Sequence, residues 1–166
     1  MRVAILCSGP SLSRFAPFTA DVVLAVNSAG RLYPHDWYVA IDRCALTPLW
    51  EGLIRPRVGV VTHPAWFKKI DNRIRKEAYP ISRLTHYSWP NAVAFALKLG
   101  ATEVDCYGVD WKDCPDCAGG GGTRNRQRWV KEAAALRTVI TDKVHIHGDI
   151  SDVWRYEIFR DVCKST

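Results

Sequence analysis

The sequence has no long hydrophobic run. No apolar stretch approaches 18 residues, so no segment is built to cross a bilayer as a helix. Nothing near the N-terminus joins a basic region to the apolar core of a leader peptide, and a soluble, cytoplasmic protein without a membrane span is expected. Also missing are internal repeats, an internal linker and the Gly-Lys-Ser/Thr ending of a phosphate-binding P-loop. No second Cys-x-x-Cys follows Cys114 and Cys117, which have the spacing of half a zinc site. His145 and His147 are the only other candidate ligands at a suitable distance, so zinc is disfavoured and two free loop thiols are favoured. Acidic residues are outnumbered: 17 Asp and Glu against 23 Lys and Arg leave a net charge of +6. That balance favours anionic partners such as nucleotides, sugar phosphates or nucleic acid, without choosing among them.

What is present suits one domain spanning 1–166, since 48% hydrophobic content over 166 residues is enough for a core. Seven Trp are many for this length, and some are expected to face a site. Of six Cys, Cys7, Cys106 and Cys163 lie in apolar settings that suit small, buried, reduced side chains.

The organising stretch is Cys7-Ser8-Gly9-Pro10-Ser11-Leu12, directly after the apolar run Val3–Leu6. It reads as strand, tight turn and helix start, a place where unpaired amides and the positive end of a helix dipole hold an anion. Gly9 would admit a ligand close to the main chain, and Pro10 suits the first helical position. Two more short apolar runs follow, Val22–Val26 ending in Asn27 and Trp37–Ile41 ending in Asp42. Val58–His63 is a fourth strand, ending in His63, a candidate base whose commoner role at such a place is structural. Residues 66–80 are charged without a clean period and read as a solvated helix or loop. Residues 81–87 read as a further short strand.

Ser88-Trp89-Pro90-Asn91 opens a helix that is apolar on nearly every face and closes at Gly100, so it is buried. Ser88 is a second anion or ribose contact, or a plain N-cap. Glu103–Asp110 is a strand carrying Gly108 and Asp110 at its carboxyl end. Residues 112–124, with four consecutive glycines, form a mobile loop suited to a lid. Arg124, Arg126 and Arg128 open the next helix, where they oppose its dipole unless an anion lies among them. Lys143–His147 alternates in polarity like an edge strand, and a terminal helix follows.

Short buried strands separated by helix-length pieces indicate an α/β fold: a single Rossmann-like domain, its sheet mostly parallel, with helices on both faces. Ligands collect beyond the carboxyl ends of such strands. Ser8, Asn27, Asp42, Gly108 and Asp110 should therefore converge on one crevice.

The ordered set Cys-Ser-Gly-Pro-Ser-Leu, Ala25-Val26-Asn27-Ser28-Ala29, Val39-Ala40-Ile41-Asp42, Ala92–Gly100 and Tyr107-Gly108-Val109-Asp110 resembles the MptE-like, 6-hydroxymethylpterin diphosphokinase-like domain family. Its ground plan is also similar to that of bacterial sialyltransferases with a Gly-x-Gly-Pro-Ser-Leu opening. The resemblance covers about residues 3 to 111 and implies a nucleotide against the first loop, bound by Gly9, Pro10, Ser11 and Asn27, with Ser88 near its base or ribose. It also implies that Asp42 and Asp110 hold Mg²⁺, a hard cation suited to carboxylates and a diphosphate. The sequence departs from the pattern at Trp89-Pro90, where relatives place glycine after the serine, and its histidines 145 and 147 fall on the last strand instead of in a lid.

The expected function is a nucleotide-dependent group transferase, foremost a glycosyltransferase using a nucleotide sugar. Arg126 and Arg128 would offset charge on the leaving diphosphate, and His63 or Asp110 would activate an acceptor hydroxyl. The acceptor is a glycan or a modified base in nucleic acid, for instance in phage DNA, and an oligomer is open. The alternatives are a diphosphokinase moving diphosphate from ATP to a hydroxymethyl group, and a non-catalytic nucleotide or nucleic-acid binding module.

Overall fold

β1 (Arg2–Leu6), β2 (Val22–Val26), β3 (Trp37–Ala40), β4 (Gly59–Thr62), β5 (Ala78–Pro80), β6 (Glu103–Tyr107) and β7 (Val144–Ile146) form one sheet in the order β5-β4-β3-β2-β1-β6-β7. Every neighbouring pair is parallel. The structure is a computed structural model that describes residues 1–17, 19–47, 51–52, 58–68, 70, 78–80, 88–110 and 141–148. Two α-helices fall among these residues, α1 (Pro64–Phe67) and α2 (Ser88–Lys98), with short 3₁₀ helices at Pro10–Arg14, Asn27–Arg31 and Cys44–Leu46. The α/β, Rossmann-like architecture is therefore the one expected. No helix among the described residues is long and apolar enough to cross a membrane.

The central strands are apolar at successive positions because both faces of the sheet are covered. In β1, Val3 and Ile5 pack with α2, while Ala4 and Leu6 pack on the opposite face with Leu12, Phe15 and Tyr107. α2 is buried along most of its length and lies over β1, β2, β3 and β6. Its Phe95, 1% exposed, meets the Trp37 ring edge-on at a centroid distance of 4.9 Å. The second face continues over β3 and β4 as Tyr38, Ala40, Leu46, Val60 and Ile70. Tyr38 donates its hydroxyl to Ala45 O there, and burial pushes its pKa up.

Several elements differ from the sequence expectation. The link after β1 carries a 3₁₀ turn where a helix start was expected, and 3₁₀ turns also follow β2 and β3. After the last of these the chain turns α-helical at Thr47, whose carbonyl accepts from Glu51 N at 2.9 Å, as Thr47-Pro48 indicates in the sequence. Pro17 and Pro34 cut the first two links short, and 3₁₀ geometry serves runs of a few residues. β5 falls inside the charged stretch read as helix or loop. It is three residues long, and an edge strand tolerates Pro80, whose missing N–H can face away from the ladder. The strand expected at 81–87 lies outside the described residues. β7 is an edge strand, as its alternating polarity indicates, with Val144 buried and His145 exposed.

From β1 the chain steps outward through β2, β3, β4 and β5, then returns to the other side of β1 as β6 and β7. The order thus reverses between β1 and β6, and in sheets of this kind ligands collect at the carboxyl ends of such strands. α2 runs back against the strands. Its last turn meets the amino edge, where Ala101 N donates to Ala96 O and Thr102 N to Met1 O, so its first residue, Ser88, lies at the carboxyl edge.

Phe95 couples α2 to the sheet, so Phe95→Ala should cost about 3–5 kcal/mol of unfolding free energy in a denaturant titration. A loss under about 1 kcal/mol would mean that α2 does not pack as described.

Candidate functional site

Two turns meet at the strand-order reversal. Continuing from the sheet, Cys7 N donates to Tyr107 O at 2.8 Å and Gly9 N to Gly108 O at 2.9 Å. Ser11 N then donates to Asp110 Oδ2 at 2.7 Å, and Gly108 N returns a hydrogen bond to Ser11 Oγ at 3.0 Å. Asp110 is 5% exposed. Three glycines let the backbones come this close. A Cβ on Gly9 would overlap Asp110 Oδ2 and Gly108 O, one on Gly108 would overlap Cys7 O, and one on Gly148 would overlap Val109 O. Gly108 also adopts φ +71°, which a side chain would strain.

This clasp corrects one expectation. The sequence predicts an anion at the unpaired amides of the Cys7–Leu12 turn and a ligand close to Gly9. The structure places the protein's own Asp110 carboxylate on the Ser11 amide, and Asp110 with Gly108 against Gly9. The helix that Pro10 opens is a single 3₁₀ helix of five residues, so its dipole is short. Asp110 supplies the negative charge that the turn attracts.

The other polar strand ends lie on the same edge but not in one cluster. Ser8 is buried at the end of β1 and Pro10 is exposed. Asn27 follows β2 with φ +52°, and its Oδ1 is buried without a hydrogen-bond partner. Ser88, 5% exposed, likewise buries an Oγ without a partner, so the plain N-cap reading does not describe it. Asp42 is half-buried after β3, where its carbonyl accepts from Ala45 N. His63 caps the short α1, its Nδ1 accepting from Ala65 N at 3.2 Å.

Strand spacing separates these groups. β3 lies three places from β6, which puts the strand ends bearing Asp42 and Asp110 about 14 Å apart. Mg²⁺ needs its oxygens within about 4 Å of one another. The two carboxylates therefore do not fit one ion, and no cluster of three or more acidic, His or Cys groups suited to a metal occurs among the described residues. His63, after β4, is about 19 Å from the end of β6, so His63 and Asp110 do not serve one reacting bond. Arg124, Arg126, Arg128, Cys114, Cys117, Cys163 and the 112–124 loop lie outside the described residues. Cys7 and Cys106 are buried and outside any disulfide, as expected, and burial pushes the Cys106 thiol up to about 12.

One constellation is absent from the sequence reading. Asp105 of β6, 3% exposed, accepts from Arg2 Nε at 2.6 Å and from His147 Nε2 at 2.7 Å. The His147 ring stacks on Tyr107 at a 4.5 Å centroid distance and 7° between planes, and its carbonyl accepts from Arg14 Nη1. Burial works to raise the Asp105 pKa, but the hydrogen bonds and charges of Arg2 and His147 outweigh it and leave the carboxyl below its ordinary value. In return Asp105 holds the Arg2 guanidinium more firmly protonated, and burial beside Asp105 raises Tyr107. A histidine fixed at Nε2 by a buried carboxylate is oriented for proton transfer through its other nitrogen. His147 precedes Gly148, which lies against the Asp110 turn, so His147 stands at the same edge of the sheet. The available signal was Arg2 and Asp105 interrupting two apolar strands, each on the face away from α2.

Gly108→Ala should destabilise the protein by about 2 kcal/mol or more, from the positive φ and the overlap with Cys7 O. An unchanged denaturation midpoint would contradict the clasp. Because the Asp105 pKa is lowered, its contribution to stability is fully present above the unfolded value near 3.8 and is lost as pH falls through the folded value. Unfolding free energy should thus drop more steeply below about pH 4 in the native protein than in Asp105→Asn. Parallel pH curves for the two would exclude the network.

No family model, no curated protein and no solved structure matches the chain.

Proposed function

We propose that the protein is a nucleotide-dependent group transferase, foremost a glycosyltransferase that takes its sugar from a nucleotide sugar. The observation that carries this reading is a pair of buried polar atoms without partners, Asn27 Oδ1 and Ser88 Oγ, at the carboxyl edge of a parallel sheet whose order reverses between β1 and β6. Each such atom costs about 1–3 kcal/mol of lost solvation, which a bound ligand would offset. Asn27 Oδ1 accepts a hydroxyl or amine hydrogen of a nucleoside, and Ser88 Oγ both donates and accepts. The backbone of Ser8, Gly9, Pro10 and Ser11, with Gly108, is proposed to wall this site, since both turns lie at the same carboxyl edge.

Asp110, and not His63, is the proposed base for the acceptor hydroxyl, because it stands at the strand-order reversal. Arg124, Arg126 and Arg128 are proposed to offset charge on the leaving diphosphate. The net charge of +6 supports an anionic donor and admits a nucleic-acid acceptor.

A thermal-shift screen of UDP, CMP and GDP sugars tests the proposal. The cognate donor at a hundredfold excess over its Kd should add about 2.7 kcal/mol of stability, a shift of several degrees. No shift with any of them would overturn the glycosyltransferase reading. AMP release from ATP with a pterin-like alcohol would select the diphosphokinase instead, and binding without turnover would select a non-catalytic module.

A further inference from the structure

We infer that the phosphate of the bound nucleotide is seated at the amino end of α2, and not in the Cys7–Leu12 turn. This inference rests on the nucleotide reading above and assigns the parts of that site.

The turn has little left for an anion. The amides of Cys7, Gly9, Ser11 and Leu12 donate to Tyr107 O, Gly108 O, Asp110 Oδ2 and Gly9 O, and Pro10 has no N–H. Ser11 Oγ accepts from Gly108 N. The Asp110 carboxylate lies against Gly9, so a phosphate entering the turn would meet a buried like charge at close range.

The amino end of α2 has the opposite character. The helix is 11 residues long, with no acidic residue in its first turn to offset the positive end of its dipole. Pro90 has no N–H to give in that turn, so the anion contact falls to the Ser88 hydroxyl together with the dipole. At that end Ser88, 5% exposed, holds an Oγ with no hydrogen-bond partner. The helix end stands over the β1 and β6 termini, since Trp89 packs in one cluster with Cys7 and Cys106. A hydroxyl at a helix start donates to a phosphate oxygen. Asn27 Oδ1 has the converse chemistry: an amide oxygen repels phosphate and accepts from a ribose hydroxyl or a base amine. The two unpartnered atoms therefore divide the ligand, with phosphate at α2 and nucleoside at the end of β2.

Isothermal titration calorimetry with ADP, CDP, GDP and UDP, and with the four matching nucleosides, separates the two halves. Ser88→Ala should weaken the best-binding diphosphate about tenfold or more while leaving its nucleoside within about twofold. The melting midpoint of the unliganded variant should not fall, because the hydroxyl removed has no partner. Asn27→Gly, which keeps the positive φ and removes Oδ1, should weaken nucleoside and diphosphate by the same factor. Equal losses of nucleoside and diphosphate in Ser88→Ala, or no loss of either, would overturn the phosphate seat and leave the nucleotide reading standing. No binding of any probe to the native protein would overturn both.

Discussion

The structure depends on the hydrogen bond from the Ser11 amide to the Asp110 carboxylate, formed across 99 residues of chain. It joins the two turns at the point where the strand order reverses. β1 and β6 are already paired, but pairing ends at Tyr107, and beyond it the clasp keeps the two turns from splaying. The cost is steric. Gly9, Gly108 and Gly148 stand where no side chain fits, so three turns are fixed by backbone contact instead of by packing.

Once that amide is taken by Asp110, the buried polar groups on and beside the sheet fall into two sets. Asp105 and Arg2 are paired with their neighbours, and His147 is held between Asp105 and Tyr107. Asn27 Oδ1 and Ser88 Oγ are buried and unpaired. In a folded protein nearly all buried polar atoms find partners, so the exceptions mark where stability yields to something else. Asn27 and Ser88 lie at the carboxyl edge near the strand-order reversal, which is why the proposed site is drawn there and not around His63 or Asp42.

Much of the fold was legible because buried parallel strands are short apolar runs with polar ends. Val3–Leu6, Val22–Val26 and Trp37–Ala40 carry that pattern, and α2 betrays its burial by being apolar on nearly every face. β5 was not legible, since a three-residue edge strand has too few residues to show a period. The site was legible by position and not by partnership. Asn27, Ser88, Gly108 and Asp110 were identifiable as strand-end and helix-start residues, but that Asp110 would satisfy Ser11 is a long-range fact with no local signature. The same holds for His147, whose partner Asp105 lies 42 residues away. A turn built to hold an anion reads identically whether the anion is a ligand or the chain's own carboxylate.

The central claim is that the Ser11 amide belongs to Asp110 while ligand binds beside it. Amide hydrogen exchange and chemical-shift mapping by NMR, with and without saturating nucleotide, test it in one experiment. The account predicts a slowly exchanging Ser11 amide in both states, and shifts on binding concentrated at Asn27 and at the first turn of α2. A Ser11 amide that exchanges rapidly without nucleotide and becomes protected with it would contradict the account, because the turn would then be the anion site itself.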